Sequence, residues 1–139
     1  MNFQKNKPKN WIINSVKRKS IYLKNNLYIN NVPSKLKIIW LKNNNSINEY
    51  LAPLFDIKYN ECFFINCVIS FNNYNFNSKF DLVILDLSWQ IKHVIKNCKP
   101  NTIDLNFEKT SHIFVLPLNS VQILDIKKGD FLRPMLKIN

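Results

Sequence analysis

The residues that could perform acid–base chemistry are few, and their spacing does not combine them. His93 and His112 have no serine or cysteine in an evident nucleophile context, and Ser111 would face the other side of a strand from its neighbour. Asp81 and Asp86 bracket an apolar strand at an odd offset, so their carboxylates would diverge. This pattern predicts a protein that is not an enzyme.

The cysteines and the single glycine predict no cofactor site either. Cys62 and Cys67 lie in one apolar run with an odd offset, which would place them on opposite faces of a strand. Together with Cys98 they form no C-x-x-C pair, and neither histidine completes a zinc-binding spacing. Gly129 stands alone, which excludes the glycine-rich phosphate loops of nucleotide-binding enzymes. We expect no cofactor, no metal and no small-molecule substrate.

The distribution of charge favours a polyanionic partner. The 139 residues include 20 Lys and Arg against nine Asp and Glu, a formal net charge of +11. Residues 1–48 contain ten of the basic residues and no acidic one, whereas residues 49–139 contain ten basic and nine acidic residues. Cations that neutralise phosphates release condensed counterions, and this drives binding to nucleic acid. The alternative is a solvated basic surface that reflects AT-rich codons.

Composition also predicts a location. Asn, Lys, Ile, Phe and Tyr make up 74 of the 139 residues, and Ala, Gly and Arg together only four, as AT-rich codon usage produces. We expect a mitochondrial protein of the matrix, encoded inside the organelle, because residues 1–10 show neither an apolar signal region nor an import presequence. No run approaches 18 apolar residues, so we expect no membrane partner.

Apolar patterning predicts an α+β fold in two small lobes. After a basic tail at residues 1–10, we expect an N-terminal α+β lobe at 11–73, with two helices against a short sheet, and a mostly β C-terminal lobe at 78–139. The first helix would span Trp11–Lys19, and the second would begin at Ser34 as its N-cap and end at the asparagines 43–45. Strands are expected at 27–29, 47–50, 63–71, 80–89, 103–107, 112–118 and 131–138, with a short helix or turn at 122–130.

One part of the sequence resembles a known family. Pro33 is followed by Ser34-Lys35, an apolar run to Leu41, Asn45, and the pattern Ile47-x-x-Tyr50. This order resembles the N-terminal lobe of the eighth small-subunit ribosomal protein, a bacterial-type family that also occurs in organelles. Segments 95–100, 113–124 and 128–136 resemble later parts of that family in the same order. The family's Ser-Thr-Ser-Lys-Gly loop is replaced here by residues 118–122.

The resemblance implies a structural constituent of the small ribosomal subunit. Such a protein binds the central domain of small-subunit ribosomal RNA through phosphate and ribose contacts, and it touches neighbouring small-subunit ribosomal proteins. The first group of implied RNA contacts comprises Lys17, Arg18, Lys19, Ser34, Lys35 and Lys37. The second, weaker group comprises Lys99, Asn119, Ser120, Lys127 and Lys128. The alternatives are an accessory subunit of an organellar respiratory or other membrane complex, and an RNA-binding factor that is not a stoichiometric part of the ribosome.

Overall fold

A computed structural model of the chain describes residues 25–41, 60–74, 76 and 78–135. These residues form a single sheet of seven strands in the order β5-β4-β6-β3-β2-β1-β7, together with one short helix. The elements are β1 (Asn26–Ile29), β2 (Val32–Leu41), β3 (Glu61–Asn72), β4 (Phe80–Leu85), β5 (Ile91–Cys98), β6 (Asp104–Pro117), α1 (Ser120–Ile123) and β7 (Leu132–Arg133).

The described part is mostly β, so the expected α+β fold with two helices is wrong. The segment expected to form the second helix is the strand β2, which pairs antiparallel with β1 and parallel with β3. Leu36, Ile39 and Trp40 fit a helical spacing, but the run between them is rich in residues that also suit a strand. Pairing with two neighbouring strands decides the outcome. The helix expected at 11–19, the tail at 1–10 and the strand at 47–50 lie outside the described residues.

Most of the other expected elements are present with different lengths. The strands expected at 27–29, 63–71 and 80–89 correspond to β1, β3 and β4, although β4 ends at Leu85. The two strands expected at 103–107 and 112–118 are one continuous strand, β6, and the expected last strand is reduced to the short β7. Strand β3 pairs with β6, so one sheet draws strands from both sides of the expected lobe boundary.

Apolar side chains pack on both faces of the sheet, because successive side chains of a strand point in opposite directions. In β3, Cys62 and Phe64 belong to a cluster that also contains Val121 of α1, and we call this side the α1 face. Phe63 and Ile65 belong to a second cluster on the opposite face. Burial of each such phenylalanine stabilises the fold by about 1.5–3 kcal/mol.

The sheet is curled, and the segment after α1 connects its two ends. Strand β7 pairs with β1 at one end of the strand order, and Phe131 forms a bridge with Gln90, just before β5, at the other end. The amide of Ile91 donates to the carbonyl of Asp130 at 2.8 Å, and the amide of Leu132 donates to the carbonyl of Trp89 at 3.1 Å. Through these bonds, the short segment that contains β7 connects the two ends of the strand order, β5 and β7.

A buried carboxylate joins β4, β5 and α1. The side chain of Asp81 is 1% exposed; its Oδ1 accepts from the amide of Asn97 at 3.0 Å, and its Oδ2 accepts from the amide of Val121 at 3.0 Å. Asn97 is the extra residue of a β-bulge, since its φ is 55° and the register with β4 shifts between Phe80 and Leu82. The bulge leaves the amide of Asn97 without a partner in the neighbouring strand, and Asp81 accepts its hydrogen bond instead.

The two buried cysteines are protonated near neutral pH. Burial, with a smaller contribution from the charge of Asp81, raises the pKa of the Cys98 thiol to about 12. Burial also raises the pKa of Cys62. Because the thiolate is the reactive form of cysteine, these two side chains serve packing rather than nucleophilic chemistry.

The Asp81 contacts give the first prediction. In Asp81→Asn the amide keeps the shape of the side chain but can accept only through Oδ1, so one of the two N–H groups loses its acceptor. We expect the free energy of unfolding to fall by about 1–3 kcal/mol, measured by urea denaturation. The control is Asp125→Asn, whose side chain is 79% exposed and pairs with Lys127, and we expect it to change stability by less than about 1 kcal/mol. Equal losses in the two variants would contradict the role of Asp81.

Candidate nucleic-acid interface

The first group of implied RNA contacts is only partly described by the structure. Lys17, Arg18 and Lys19 lie outside the described residues. Ser34 lies in β2 rather than at a helix N-terminus, so the expected capping role is wrong. Its hydroxyl oxygen instead accepts from the amide of Leu36 at 3.2 Å, a local contact within the strand. Lys35 and Lys37 lie on the same strand, where Lys35 is exposed and Lys37 is half-buried.

The second group does not form one patch. Lys99 directly follows the last residue of β5, whereas Lys127 and Lys128 precede Gly129, whose amide donates to the carbonyl of Ile91 at the start of β5, at 3.0 Å. An eight-residue strand separates its first and last residues by about 23 Å. Lys127 is also paired with Asp125 at 3.1 Å. These lysines therefore lie at two separate places on the surface.

The two polar residues before and at the start of α1 differ in accessibility. Asn119 is exposed, with a left-handed φ of 74°. Ser120 is fully buried, and its hydroxyl donates to the carbonyl of Pro117. Asn119 can reach a partner, but Ser120 has no exposed hydroxyl with which to contact RNA.

The sheet alternation creates an outward face at the strands β7, β1 and β2, which we call the edge face. Directly paired residues point to the same side of a sheet, and Asn26 pairs with Lys37, while Tyr28 pairs with both Pro33 and Arg133. These five residues form the edge face. Most alternate apolar residues of the same strands pack in or against the cluster on the α1 face, namely Leu27, Ile29, Leu36, Ile38 and Leu132, whereas Val32 is exposed.

The edge face carries positive charge. Lys37 and Arg133 belong to it, and Lys35 lies exposed beside it in β2. Neither the described residues 25–41 nor 131–135 include an acidic side chain, and none of these three cations forms an ion pair with a described carboxylate. Glu61, which pairs with Lys37 in β3, points to the same side and is the acidic neighbour of this region.

Neutral groups hold two of these cations in place. The Nζ of Lys37 donates to Oδ1 of Asn26 at 2.5 Å. The Nη1 of Arg133 donates to Oδ1 of Asn31 at 3.3 Å, and the guanidinium carbon lies 5.1 Å from the ring centre of Phe131. Amide oxygens and an aromatic ring orient the cations without neutralising them, and their remaining N–H groups can donate to phosphate oxygens.

A second candidate site is an open cleft of about 1050 Å³ beside β6. It lies where the pairing of β6 with β4 ends at His112, while β6 remains paired with β3 with register shifts on either side of Val68. Residues 106–111 of β6 form one wall, and Ile84, Leu87 and His93 contribute to the other. The cleft combines apolar and polar side chains of both charges.

Two charged groups of the cleft, Asp86 and Lys92, are engaged in structural contacts. Asp86 accepts hydrogen bonds from the amide and hydroxyl of Ser88 and from the amide of Gln90, and it pairs with Lys92 at 3.3 Å. Partial burial acts to raise the pKa of Asp86, but these hydrogen bonds outweigh it and hold the pKa below its ordinary value of 3.8. Asp86 is thus a carboxylate that fixes the turn before β5.

Two observations in the described residues concern catalysis and metal binding. No hydrogen bond joins His93 to another side chain in the described part of the chain. Within the same residues, no three His, Cys, Asp or Glu side chains are placed to hold a metal ion. No described helix is both long enough and apolar enough to cross a membrane. That the protein is not an enzyme remains a prediction.

His112 lies buried behind the cleft in its neutral form. Its ring stacks on Trp89, with 4.1 Å between centres and 15° between planes, and its Nδ1 accepts from the amide of Cys67 at 3.3 Å. Burial lowers the pKa of His112, and the nearby charge of Asp86 only partly opposes this effect. The neutral ring is needed because protonated Nδ1 could no longer accept a hydrogen bond.

The neutral form of the buried His112 ring predicts how the free energy of unfolding depends on pH. Its pKa is lower in the folded chain than the ordinary 6.5, so below that pH the unfolded chain binds more protons and stability falls. Between about pH 7.5 and about pH 5, the wild type should lose more stability than His112→Gln, as measured by urea denaturation. His93→Gln, at an exposed position, should behave like the wild type. If His112→Gln lost as much stability as the wild type, the buried neutral histidine would be contradicted.

Comparisons with known proteins show a similarity in fold only. No family model matches the chain, and no curated protein is significantly similar to it in sequence. A protein of unknown function from Novosphingobium aromaticivorans has a similar crystal structure, with 14% identity, a TM-score of 0.58, and coverage of 70% of this chain and 74% of that one. A Sinorhizobium meliloti protein, provisionally described as a transcription regulator, has 12% identity, a TM-score of 0.64, and coverage of 81% and 94%. The chain therefore shares a curled-sheet fold with these two proteins.

Proposed function

We propose that the protein is a non-catalytic RNA-binding protein. The observation that carries the proposal is the acid-free segment 1–48 with its ten Lys and Arg residues. In the described part of this segment, Lys35 and Lys37 lie on the same strand at the outward side of the sheet, and Arg133 joins them from β7. Phosphate contacts from such cations supply most of the affinity of a protein for nucleic acid.

The neighbours of these cations favour RNA among polyanions. Asn26, Asn31 and Tyr28 surround them with amide groups and a phenol, which can donate to and accept from a ribose 2′-hydroxyl. If these cations served only to keep the protein soluble, amide side chains would not be needed to orient them. The exposed residues Lys99, Asn119, Lys127 and Lys128 are secondary candidates at other places on the surface.

We also propose that the RNA is ribosomal and that the particle is the small subunit of a mitochondrial ribosome. The composition and the order of motifs along the sequence support this proposal. The first and most specific of those motifs would contain a helix in the ribosomal family, but it is the strand β2 here. The support for RNA binding therefore comes from charge and surface chemistry, and the choice of particle depends on a fractionation experiment.

Salt dependence tests the RNA contacts. The logarithm of the binding constant falls with the logarithm of salt concentration, and each lost phosphate contact reduces the slope by about one. We expect Lys35→Gln/Lys37→Gln to weaken binding to a small-subunit ribosomal RNA fragment and to reduce the slope by about two. The measurement is fluorescence anisotropy across a salt series. Lys17→Gln/Arg18→Gln/Lys19→Gln tests the undescribed part of the first group and should reduce the slope by about three.

A matched control separates position from net charge. Lys79→Gln/Lys109→Gln removes the same charge as the β2 double variant from exposed positions away from the edge face. We expect it to change the slope little. Equal slopes in the two double variants would mean that binding follows net charge alone, and would contradict the proposed interface.

Fractionation of the organelle tests whether the protein belongs to the small ribosomal subunit. If the protein is a ribosomal constituent, it should sediment with the small subunit, be present once per particle and remain there after a high-salt wash. Release by salt would instead indicate an RNA-binding factor, and recovery with membranes would indicate an accessory subunit of a membrane complex. Either of these outcomes would contradict the ribosomal assignment.

A further inference from the structure

We propose that the edge face binds an unpaired RNA segment by stacking a base on Tyr28, with the phosphates of that segment held by Arg133 and Lys37. This inference rests on the proposed function and specifies which form of RNA the face takes. Its starting point is the place of Tyr28 in β1, the strand between β2 and β7. The ring is partly exposed and lies on the outward side of the sheet.

Flat or rigid groups flank Tyr28 on both sides. Its direct partners are Pro33 in β2 and Arg133 in β7. Such partners have Cβ atoms about 4.5–5.5 Å apart, so the three side chains form a continuous row across the strands. A proline ring, a phenol and a guanidinium are all surfaces on which a nucleobase can stack.

Phe131, directly before β7, extends this row. It lies two residues before Arg133 and therefore on the same side of the strand, with the guanidinium 5.1 Å from its ring centre. The side-chain oxygen of Asn30 accepts from the amide of Phe131 at 2.9 Å, and the amide of Asn30 donates to the carbonyl of Phe131 at 2.8 Å. These bonds fix the second aromatic residue diagonally from Tyr28, about 7–8 Å away in a regular antiparallel pair.

The cations stand around the aromatic residues rather than apart from them. Arg133 uses one N–H on Asn31, which leaves its other donors for phosphate. Lys37 is held by Asn26, the residue two before Tyr28 on the same side of β1. Aromatic residues with cations beside them are the arrangement by which β-sheet surfaces bind single strands, since the bases stack while the backbone follows the charge.

An unpaired strand fits this arrangement better than a duplex does. In a duplex the bases are stacked on one another and their faces are not available to a ring on a protein surface. A duplex would use the lysines and the arginine but leave Tyr28 and Phe131 without a role. A preference for unpaired RNA is therefore the property that separates stacking from simple attraction of charge.

The experiment compares a fluorescein-labelled oligouridylate with an RNA duplex of equal charge, by anisotropy at one salt concentration. The wild type should bind the single strand more tightly. Tyr28→Ala and Tyr28→Leu should each lower affinity for the single strand by about tenfold or more, while affinity for the duplex changes little. Tyr28→Phe, which keeps the ring, should retain the wild-type affinity. Urea midpoints of the variants establish that each one is folded, and Tyr28→Leu, which keeps apolar bulk, serves if Tyr28→Ala is not.

The outcomes distinguish this inference from the proposed function. If the wild type binds both RNAs equally and Tyr28→Leu matches it on both, stacking is overturned while RNA binding stands. If Tyr28→Phe loses as much affinity as Tyr28→Leu, the hydroxyl rather than the ring is responsible, and stacking is again overturned. If the wild type binds neither RNA, both the inference and the proposed function fail.

Discussion

The two hydrogen bonds accepted by the Asp81 carboxylate connect the parts of the molecule on which the rest depends. They join β4 to the bulge of β5 and to the start of α1. With α1 fixed, the side chains of Val121 and Ile126 cover the cluster on the α1 face. The chain then reaches the start of β5 and continues into β7, which carries Arg133. A carboxylate in the core thus supports the placement of a cation on the edge face.

The edge face follows from the same alternation that builds the two apolar clusters. Leu27, Leu36 and Leu132 point to the α1 face, and this leaves polar, aromatic and basic side chains pointing outward as far as Lys37. Beyond Lys37, Ile39 and Leu41 of β2 are buried on that outward side. Because Asn26 and Asn31 rather than carboxylates hold Lys37 and Arg133, positive charge remains available at the surface. Elsewhere in the described part, Lys92 and Lys127 are paired with aspartates. The grouping of such cations beside Tyr28 and Phe131 is what distinguishes the proposed interface from an ordinary solvated surface.

The sequence allowed some of these features to be predicted and concealed others. Apolar runs such as the one that forms β4 were sufficient to predict strands. In β2, Leu36, Ile39 and Trp40 fit a helix as well as a strand, and only the pairing with β1 and β3 decides between them. The spacing of Asp81 and Asp86 indicates only that the two carboxylates diverge; the uninterrupted apolar run beside Asp81 is the signal in the sequence that this residue is buried. The edge face could not be predicted, because Tyr28 and Arg133 are distant in sequence and meet through the β1–β7 pairing.

The central claim is that RNA contacts the outward side of β7, β1 and β2, and the most direct test is a residue-resolved map of the contact. Backbone amide resonances, followed by NMR while an unpaired RNA is added, provide that map. The account predicts that shifts in the described residues concentrate at 26–37 and 131–133, and that residues 106–111 of the cleft remain unchanged. Shifts centred on the cleft, with residues 26–37 unaffected, would contradict the account.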